Sequence, residues 1–309
     1  MYQKRKIRAE MKNINQEEKL TKVGINWYPG HMHKTKKQML DDFKLIDIVI
    51  EVTDARIPYS SRNPDIENIV KDKKKIIILN KKDLADENYT NEWIKYYKKQ
   101  DVVAIPVDSS KKNGTKDVID AIKNVGSDTF KKFNDKGRIG RKIKVMIFGI
   151  PNVGKSTFIN MLANKNSAKA ENRPGVTQKK QWIRLSDDIE LMDTPGMLWP
   201  KIENNDVAMN LAFTNSIGKN AFDNEEIAFY LLRYLCSNYK EKVEKRYDIK
   251  IEYDLIENEA VSEIMNKIAV KKGCILKGNQ VNLEKVSNMI LNDFQSGKIG
   301  RISLEKPQN

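Results

Sequence analysis

Residues 149–157 have the composition of a loop that binds phosphate groups. They read G-I-P-N-V-G-K-S-T and follow an apolar run at 145–148. A G-x-x-x-x-G-K-S pattern between a strand and a helix is a Walker A loop, in which backbone N–H groups and the positive end of the helix dipole cradle phosphates. We expect Lys155 to reach the β- and γ-phosphates as a catalytic group and Ser156 to place its hydroxyl on Mg²⁺. The predicted contacts of this loop with the nucleotide are Asn152, Val153, Gly154, Lys155, Ser156 and Thr157.

An aspartate motif further along the chain supplies a candidate metal ligand. An apolar run leads into D-T-P-G at 193–196, the D-x-x-G pattern of a GTPase. Asp193, at the end of a strand, can hold Mg²⁺, and Gly196 is predicted to contact the nucleotide. Thr177, at the end of an R-P-G-V-T stretch, is the candidate switch threonine, which reaches Mg²⁺ and the γ-phosphate only when the triphosphate is bound. The predicted metal ligands are Ser156, Thr177 and Asp193.

A third motif predicts that the base of the nucleotide is guanine. N-K-K-D at 80–83 follows an apolar, strand-like run. Asp83 can accept hydrogen bonds from the N1–H and the 2-amino group of guanine, whereas adenine has an acceptor at N1 and no 2-amino group. We expect Lys81 to lay its stem along the base plane and Asn80 to tie this loop to the phosphate-binding turn. Taken alone, N-K-K-D also fits a solvated turn after any strand, but beside a Walker loop it favours GTP as the substrate.

A weaker S-S-K sequence at 109–111 resembles the S-A-K loop whose backbone contacts the guanine oxygen. It follows the N-K-K-D strand after one helical segment, which is the position that the base-binding half of a GTPase requires. The predicted contacts of both base-reading loops are Asn80, Lys81, Lys82, Asp83, Asp108, Ser109 and Ser110.

The order of these motifs along the chain is reversed relative to ordinary GTPases. The base-reading elements at 80–83 and 109–111 come before the phosphate elements at 149–157 and 193–196. A doubly wound sheet tolerates such a circular permutation because its natural termini lie close together at the surface. We therefore predict an α/β fold with a circularly permuted P-loop GTPase domain, built on a doubly wound, mostly parallel sheet. The basic stretch 128–144 fits the linker that joins the natural termini, or alternatively a contact with RNA.

The composition predicts a second domain and a polyanionic partner. The chain has 309 residues, 39% of them hydrophobic, and carries a net charge of +14,. Helix-spaced apolar residues in the last third predict helices that bury one face each. We divide the chain into a basic tail at 1–23, the GTPase domain at 24–204 and a small helical C-terminal domain at 205–309.

The two cysteines and the lack of long apolar runs in the sequence predict the cellular compartment of the protein. Cys236 and Cys274 fall in or beside helical patterns, so we expect buried free thiols in a reducing compartment rather than a disulfide or a metal site,. The sequence contains no apolar run long enough to span a bilayer and no signal-peptide core,. The prediction is a cytoplasmic protein without a membrane partner.

These motifs in this order, together with W-Y-P-G-H-M at 27–32 and D-A-R-I-P-Y-S-S-R-N-P at 54–64, closely resemble those of the circularly permuted GTPases of bacterial ribosome biogenesis. The resemblance spans residues from about 25 to 305. It implies a GTPase of late large-subunit assembly that binds the 50S precursor and 23S rRNA in its GTP state and is released on hydrolysis. A monomer without a DNA partner is expected. A GTP-dependent switch read by protein partners and an organellar counterpart are the alternatives.

The resemblance also implies roles for particular residues. The family's helical domain is similar to RNA-binding regulators, and Asn152 matches an asparagine that helps hold K⁺ in potassium-stimulated relatives. The resulting candidates for contact with rRNA are the basic residues Lys240, Lys242, Lys245, Arg246, Lys271 and Lys272.

The aspartate motif lacks a residue that could position the attacking water, and His31 is the candidate for that role. The residue after Gly196 is Met197, and a thioether cannot orient water as the glutamine of small signalling GTPases does,. Both histidines of the chain, His31 and His33, follow the turn at Pro29 and Gly30. We predict that His31 positions the attacking water, a role that the resembled family is thought to give this histidine, whereas His33 belongs to a packing corner. The alternative is that the motif grips rRNA.

Overall fold

A six-stranded sheet forms the centre of the computed structural model, which describes residues 25–26, 43–70, 72–135, 141–163, 181–194, 196, 198–199, 201–217, 222–252 and 256–307. In chain order the strands are β1 Ile25–Asn26, β2 Ile48–Asp54, β3 Lys74–Asn80, β4 Val103–Val107, β5 Ile143–Phe148, β6 Gln181–Arg184, β7 Ile189–Asp193 and β8 Lys201–Ile202. The sheet order is β4-β3-β2-β5-β7-β6, parallel except for the antiparallel edge strand β6. Strands β1 and β8 pair separately and antiparallel. The predicted mostly parallel α/β sheet is confirmed.

Helices cover both faces of this sheet, as buried parallel strands require. The helices are α1 Pro64–Ile69, α2 Glu87–Lys99, α3 Thr115–Asp135, α4 Lys155–Ala163, α5 Asn205–Phe213, α6 Asn224–Asn238, α7 Lys240–Tyr247, α8 Asn258–Lys271 and α9 Leu283–Gln295. Ile48 and Ile50 of β2 pack in one apolar cluster with residues of α3 and α4. Val49, between them, packs on the opposite face with Ile66 of α1. This alternation is that of a doubly wound sheet.

The stretch predicted as a linker, 128–144, is mostly regular structure. Helix α3 continues to Asp135 and β5 begins at Ile143. Val125 and Phe130 pack against the main core. This packing stabilises the helix through a segment whose lysines predict an exposed connection. The linker prediction is therefore wrong for 128–135 and from residue 143 onward, and residues 136–140 lie outside the described part of the chain.

The last third of the chain forms a second, helical core. Its buried side chains include Ile227 and Leu231 of α6, Ile264 of α8, and Ile290 and Phe294 of α9, which confirms the helical stripes predicted from the sequence. Helix α5 joins the two cores: Leu211 packs in the sheet core and Phe213 in the helical one. None of the helices among the described residues is long and apolar enough to cross a membrane.

Both cysteines are free and buried, as predicted. Cys236 lies in α6 within the helical core, and burial raises the pKa of its thiol to about 12. A thiol with so high a pKa carries almost no thiolate at neutral pH, so this cysteine is suited to packing rather than to chemistry.

Candidate functional site

The predicted motifs lie at one edge of the sheet, where parallel strands end. Strand β2 ends at Asp54, β3 at Asn80, β5 at Phe148 and β7 at Asp193. Because β3, β2, β5 and β7 are consecutive neighbours in the sheet, their carboxyl ends open on the same side,. The base-reading loop after β3 and the phosphate loop after β5 therefore meet, although their order in the chain is reversed.

The phosphate loop adopts a backbone that depends on its second glycine. Gly154 has φ of 89° and Asn152 has φ of 61°, both in the left-handed region, and α4 begins at Lys155. A Cβ atom on Gly154 would lie 2.5 Å from Asn80 Nδ2. The glycine thus permits both the turn and the close approach of the base-reading strand.

The Walker lysine and the aspartate of the D-x-x-G motif form a buried ion pair. Lys155 Nζ donates to Asp193 Oδ1 at 2.6 Å, and the two residues are 7% and 5% exposed. Ser156 is half-buried in the first turn of α4. A hydroxyl and a carboxylate are oxygen ligands of the kind that Mg²⁺ prefers, and Mg²⁺ at nucleotide sites typically takes one or two carboxylates and completes its shell with phosphates and water. The residues present therefore fit a magnesium-nucleotide complex.

Asn80 connects the base-reading and phosphate loops, as predicted. Its Nδ2 donates to the Val153 carbonyl oxygen at 2.8 Å, and its Oδ1 accepts a hydrogen bond from Ser109 Oγ at 2.7 Å. Asn80 is 2% exposed, so these hydrogen bonds form away from water. One side chain thereby fixes three loops relative to one another: N-K-K-D, S-S-K and the Walker loop.

The S-S-K loop is shaped by the aspartate that precedes it. Asp108 Oδ1 accepts hydrogen bonds from Ser110 N at 3.1 Å, Ser110 Oγ at 2.6 Å and Lys111 N at 3.2 Å. Burial raises the pKa of Asp108, but these hydrogen bonds and the Lys111 charge outweigh it and leave the pKa lowered. Lys82 N donates to the Val107 carbonyl oxygen at 3.1 Å, which joins the two base-reading loops, and Asp83 is half-buried beside them.

The chain segment after α9 supports the base-reading loop from outside. Arg301 Nε donates to the Ala85 carbonyl oxygen at 2.9 Å, and Ile302 N donates to the Leu84 carbonyl oxygen at 2.8 Å. Sequence reasoning missed this segment because it lies 216 residues from its partner and carries no motif. The buried Asp54 and Arg56 were also missed as site residues, although an aspartate at a strand end next to N-K-K-D is a usable signal.

Some of the predicted site residues lie outside the described part of the chain. These are His31 and Thr177, and Met197 and the basic tail 1–23 also lie outside it. The structure brings together the other predicted elements: N-K-K-D, S-S-K, the Walker loop and Asp193.

Comparison with known proteins agrees with this arrangement. A family model described as 50S ribosome-binding GTPase matches residues 144–267, beginning inside β5 and leaving the base-reading loops outside. Ribosome biogenesis GTPase A from Bacillus pumilus is 42% identical over 285 residues, which is 92% of this chain and 99% of that protein. The chain belongs to the ribosome biogenesis GTPase A family.

Two further proteins are similar to this chain over nearly their whole length. Ribosome biogenesis GTPase A from Priestia megaterium is 41% identical and is matched over 92% of this chain and 97% of its own length. The crystal structure of GNP-bound YlqF from T. maritima superposes on this chain with a TM-score of 0.59. The two sequences are 28% identical, and the match covers 89% of this chain and 99% of that one. As a member of this family, the chain is a circularly permuted GTPase, a hydrolase acting on GTP, that takes part in ribosome biogenesis.

Proposed function

We propose that the chain binds a precursor of the large (50S) ribosomal subunit through its 23S rRNA while it holds GTP, and leaves after hydrolysis, late in assembly. One observation supports a coupling between the nucleotide and the helical region that would contact the particle. Asn152 Nδ2, in the phosphate loop, donates to the Asn215 carbonyl oxygen at 2.6 Å. Asn215 follows α5, which contributes to both cores. A change in the phosphate loop on hydrolysis thus has a direct route to the helical region.

At the nucleotide, we assign Lys155 to contact the β- and γ-phosphates. These contacts replace its ion pair with Asp193 when the nucleotide binds. Asp83 reads the guanine edge. Mg²⁺, when bound, neutralises phosphate charge, and the residues that would hold it are Ser156, Thr177 and Asp193. The remaining proposed contacts with the nucleotide are Asn80, Lys81, Lys82, Asp108, Ser109, Ser110, Asn152, Val153, Gly154, Thr157 and Gly196.

We also propose that K⁺ accelerates hydrolysis through Asn152. Because its Nδ2 is directed to the Asn215 carbonyl, the opposite side of the amide offers Oδ1 as an oxygen ligand. GTP hydrolysis should be faster in KCl than in NaCl at equal ionic strength. Equal rates in the two salts would refute this role.

The helical region, which we place at 205–309 after the GTPase domain at 24–204 and the basic tail at 1–23, is the proposed RNA-binding domain. Three of its six candidate cations are engaged within the chain: Arg246 pairs with Asp293 at 2.8 Å, Lys271 with Asp248 at 2.6 Å, and Lys242 donates to the Arg301 carbonyl. The candidates for which we find no ion pair within the described residues are Lys240, Lys245 and Lys272. These are the proposed phosphate contacts.

Sedimentation with ribosomal particles tests the proposal. The free protein, which we propose to be a cytoplasmic monomer, should co-sediment with 50S precursors in the presence of a non-hydrolysable GTP analogue and less so with GDP. Association should weaken steeply between about 50 and 200 mM salt, because Lys and Arg contacts to phosphate release counterions. Replacing Lys240, Lys245 and Lys272 with Ala should reduce the salt dependence.

The matched control replaces three exposed lysines of α2, Lys95, Lys98 and Lys99, with Ala and should leave association unchanged. If the wild-type protein fails to co-sediment at low salt in either nucleotide state, a switch read by protein partners becomes the better account.

We propose His31 as the residue that positions the attacking water, since Met197 cannot. His31→Ala should lower particle-stimulated hydrolysis by about 10²–10⁴-fold with GTP affinity nearly intact. His33→Ala is the matched control and should hydrolyse normally. If His31→Ala instead binds particles poorly but hydrolyses normally once bound, the histidine is a docking residue.

A further inference from the structure

The D-A-R-I-P sequence places a buried ion pair at the carboxyl end of β2. Asp54 is fully buried and Arg56 is 2% exposed. Arg56 Nε donates to Asp54 Oδ1 at 2.9 Å, and Arg56 Nη2 donates to Asp54 Oδ2 at 2.7 Å. Such a bidentate pair is both strong and directional. Burial raises the pKa of Asp54, but Arg56 and Lys81 outweigh it and hold the pKa well below its usual range, so the carboxylate stays charged.

The same carboxylate contacts the lysine of the N-K-K-D loop. Lys81 Nζ lies 3.0 Å from Asp54 Oδ2 and donates to the Asn152 carbonyl oxygen at 2.6 Å. Lys81 has φ of 59°, in the left-handed region that residues other than glycine seldom adopt,. The ammonium group of Lys81 therefore links the end of β2 to the phosphate loop.

The helical core covers the other side of this ion pair. The Arg56 guanidinium carbon is 5.1 Å from the centre of the Phe294 ring, at the end of α9. Leu304 N also donates to the Arg56 carbonyl oxygen at 2.9 Å. A desolvated guanidinium on an aromatic ring is held by cation–π attraction, so α9 fixes the orientation of Arg56.

We propose that Asp54 is a positioning residue for guanine recognition, which holds the Lys81 side chain where the base is to lie. Arg56 and Phe294 in turn hold Asp54, so the helical region contributes to guanine affinity without touching the nucleotide. This inference rests on the proposed role of the N-K-K-D loop. It assigns a function to the D-A-R-I-P motif, which the nucleotide contacts leave unexplained.

Equilibrium binding of a fluorescent GDP analogue tests the positioning role. Asp54→Asn should raise the Kd by about 10- to 100-fold, because Lys81 loses a charged partner in a buried site. Lys81→Met should raise the Kd similarly, and the double variant should be no weaker than Lys81→Met alone, because both changes remove one interaction. In Asp54→Asn the loss should appear as a raised KM for GTP, with a smaller change in kcat, since the effect lies in binding.

The outer contact has its own variant and control. Phe294→Leu should raise the Kd by about 2- to 5-fold, as expected for loss of a cation–π contact. Ile264→Val, in α8 of the same helical core, should lower stability and leave the Kd unchanged. Wild-type affinity in Asp54→Asn, or effects of Asp54→Asn and Lys81→Met that multiply, would overturn the inference.

Asp54→Asn leaves Arg56 buried without its counter-charge, so each variant is checked by thermal unfolding. If that variant does not fold, Asp54→Asn/Arg56→Met removes both charges of the pair and should still show the raised Kd. Wild-type protein that fails to bind GDP would refute the proposed nucleotide site itself. Wild-type binding weakened by Lys81→Met but not by the Asp54 variants would refute the positioning role alone.

Discussion

Replacing Asn80 with Ala tests the joint between the two halves of the nucleotide site. The substitution removes the donor to the Val153 carbonyl and the acceptor for Ser109 Oγ, at 2.8 and 2.7 Å. Both partners belong to loops of the site, and the asparagine that holds them is 2% exposed. Water has little access to the groups that the substitution leaves behind.

The expected loss of stability follows from those two groups. Leaving a buried donor or acceptor unsatisfied costs about 1–3 kcal/mol, so Asn80→Ala, which leaves two such groups, should lower the free energy of unfolding by about 2–6 kcal/mol. A domain has a total of only about 5–15 kcal/mol, so the variant should be plainly destabilised. Guanine nucleotide affinity should fall as well, because the three loops lose their common anchor.

Urea unfolding and GDP binding measure both effects. Asn80→Asp keeps the acceptor for Ser109 but loses the donor to Val153, so it should lose a large part of the affinity. Asn238→Ala is the control: its exposed Nδ2 also donates to a backbone carbonyl, that of Tyr234, and its loss should cost less than about 0.5 kcal/mol,. If Asn80→Ala were no less stable than Asn238→Ala, the proposed anchoring role would be refuted.

Two further predictions concern the supporting structure. Gly297→Ala should destabilise the fold by about 1–2 kcal/mol or more, because φ there is 75° and the new Cβ would lie 2.6 Å from Leu84 Cδ2,. An unchanged midpoint in urea unfolding would contradict the tight docking of this segment. The thiols of Cys236 and Cys274 should resist a disulfide reagent at pH 8 in the native protein and react after unfolding, since both are buried,. Rapid labelling of native protein would contradict that burial.

Local sequence patterns predicted the strands and loops that form the candidate nucleotide site. Apolar runs ending in polar motifs located β3, β5 and β7, because a buried parallel strand must be apolar and its carboxyl end must turn into a loop,. The joint made by Asn80 was also predictable, since N-K-K-D and the Walker loop are known by their residue types.

Contacts over long sequence separation were not predictable. Nothing in the residues around Arg301 indicates that it holds the carbonyl of Ala85, because the contact depends on how the helical core docks. By its sequence, the segment 128–135 fits the start of a linker, because lysines and arginines recur from there to residue 144. It is helical, with Phe130 packed on the main core. Composition alone does not predict which of the few apolar side chains pack against the core.

Nucleotide specificity of Asp83 variants tests the central claim, that base-reading and phosphate motifs in reversed order form one guanine site. Equilibrium binding of GTP, ATP and xanthosine triphosphate is measured for wild type, Asp83→Asn and the control Asp120→Asn on the exposed side of α3. Wild type and Asp120→Asn should bind GTP and ignore ATP, whereas Asp83→Asn should lose GTP affinity and gain affinity for xanthosine triphosphate. Tight binding of ATP by wild type, or an Asp83→Asn variant with unchanged preference for GTP, would contradict the claim.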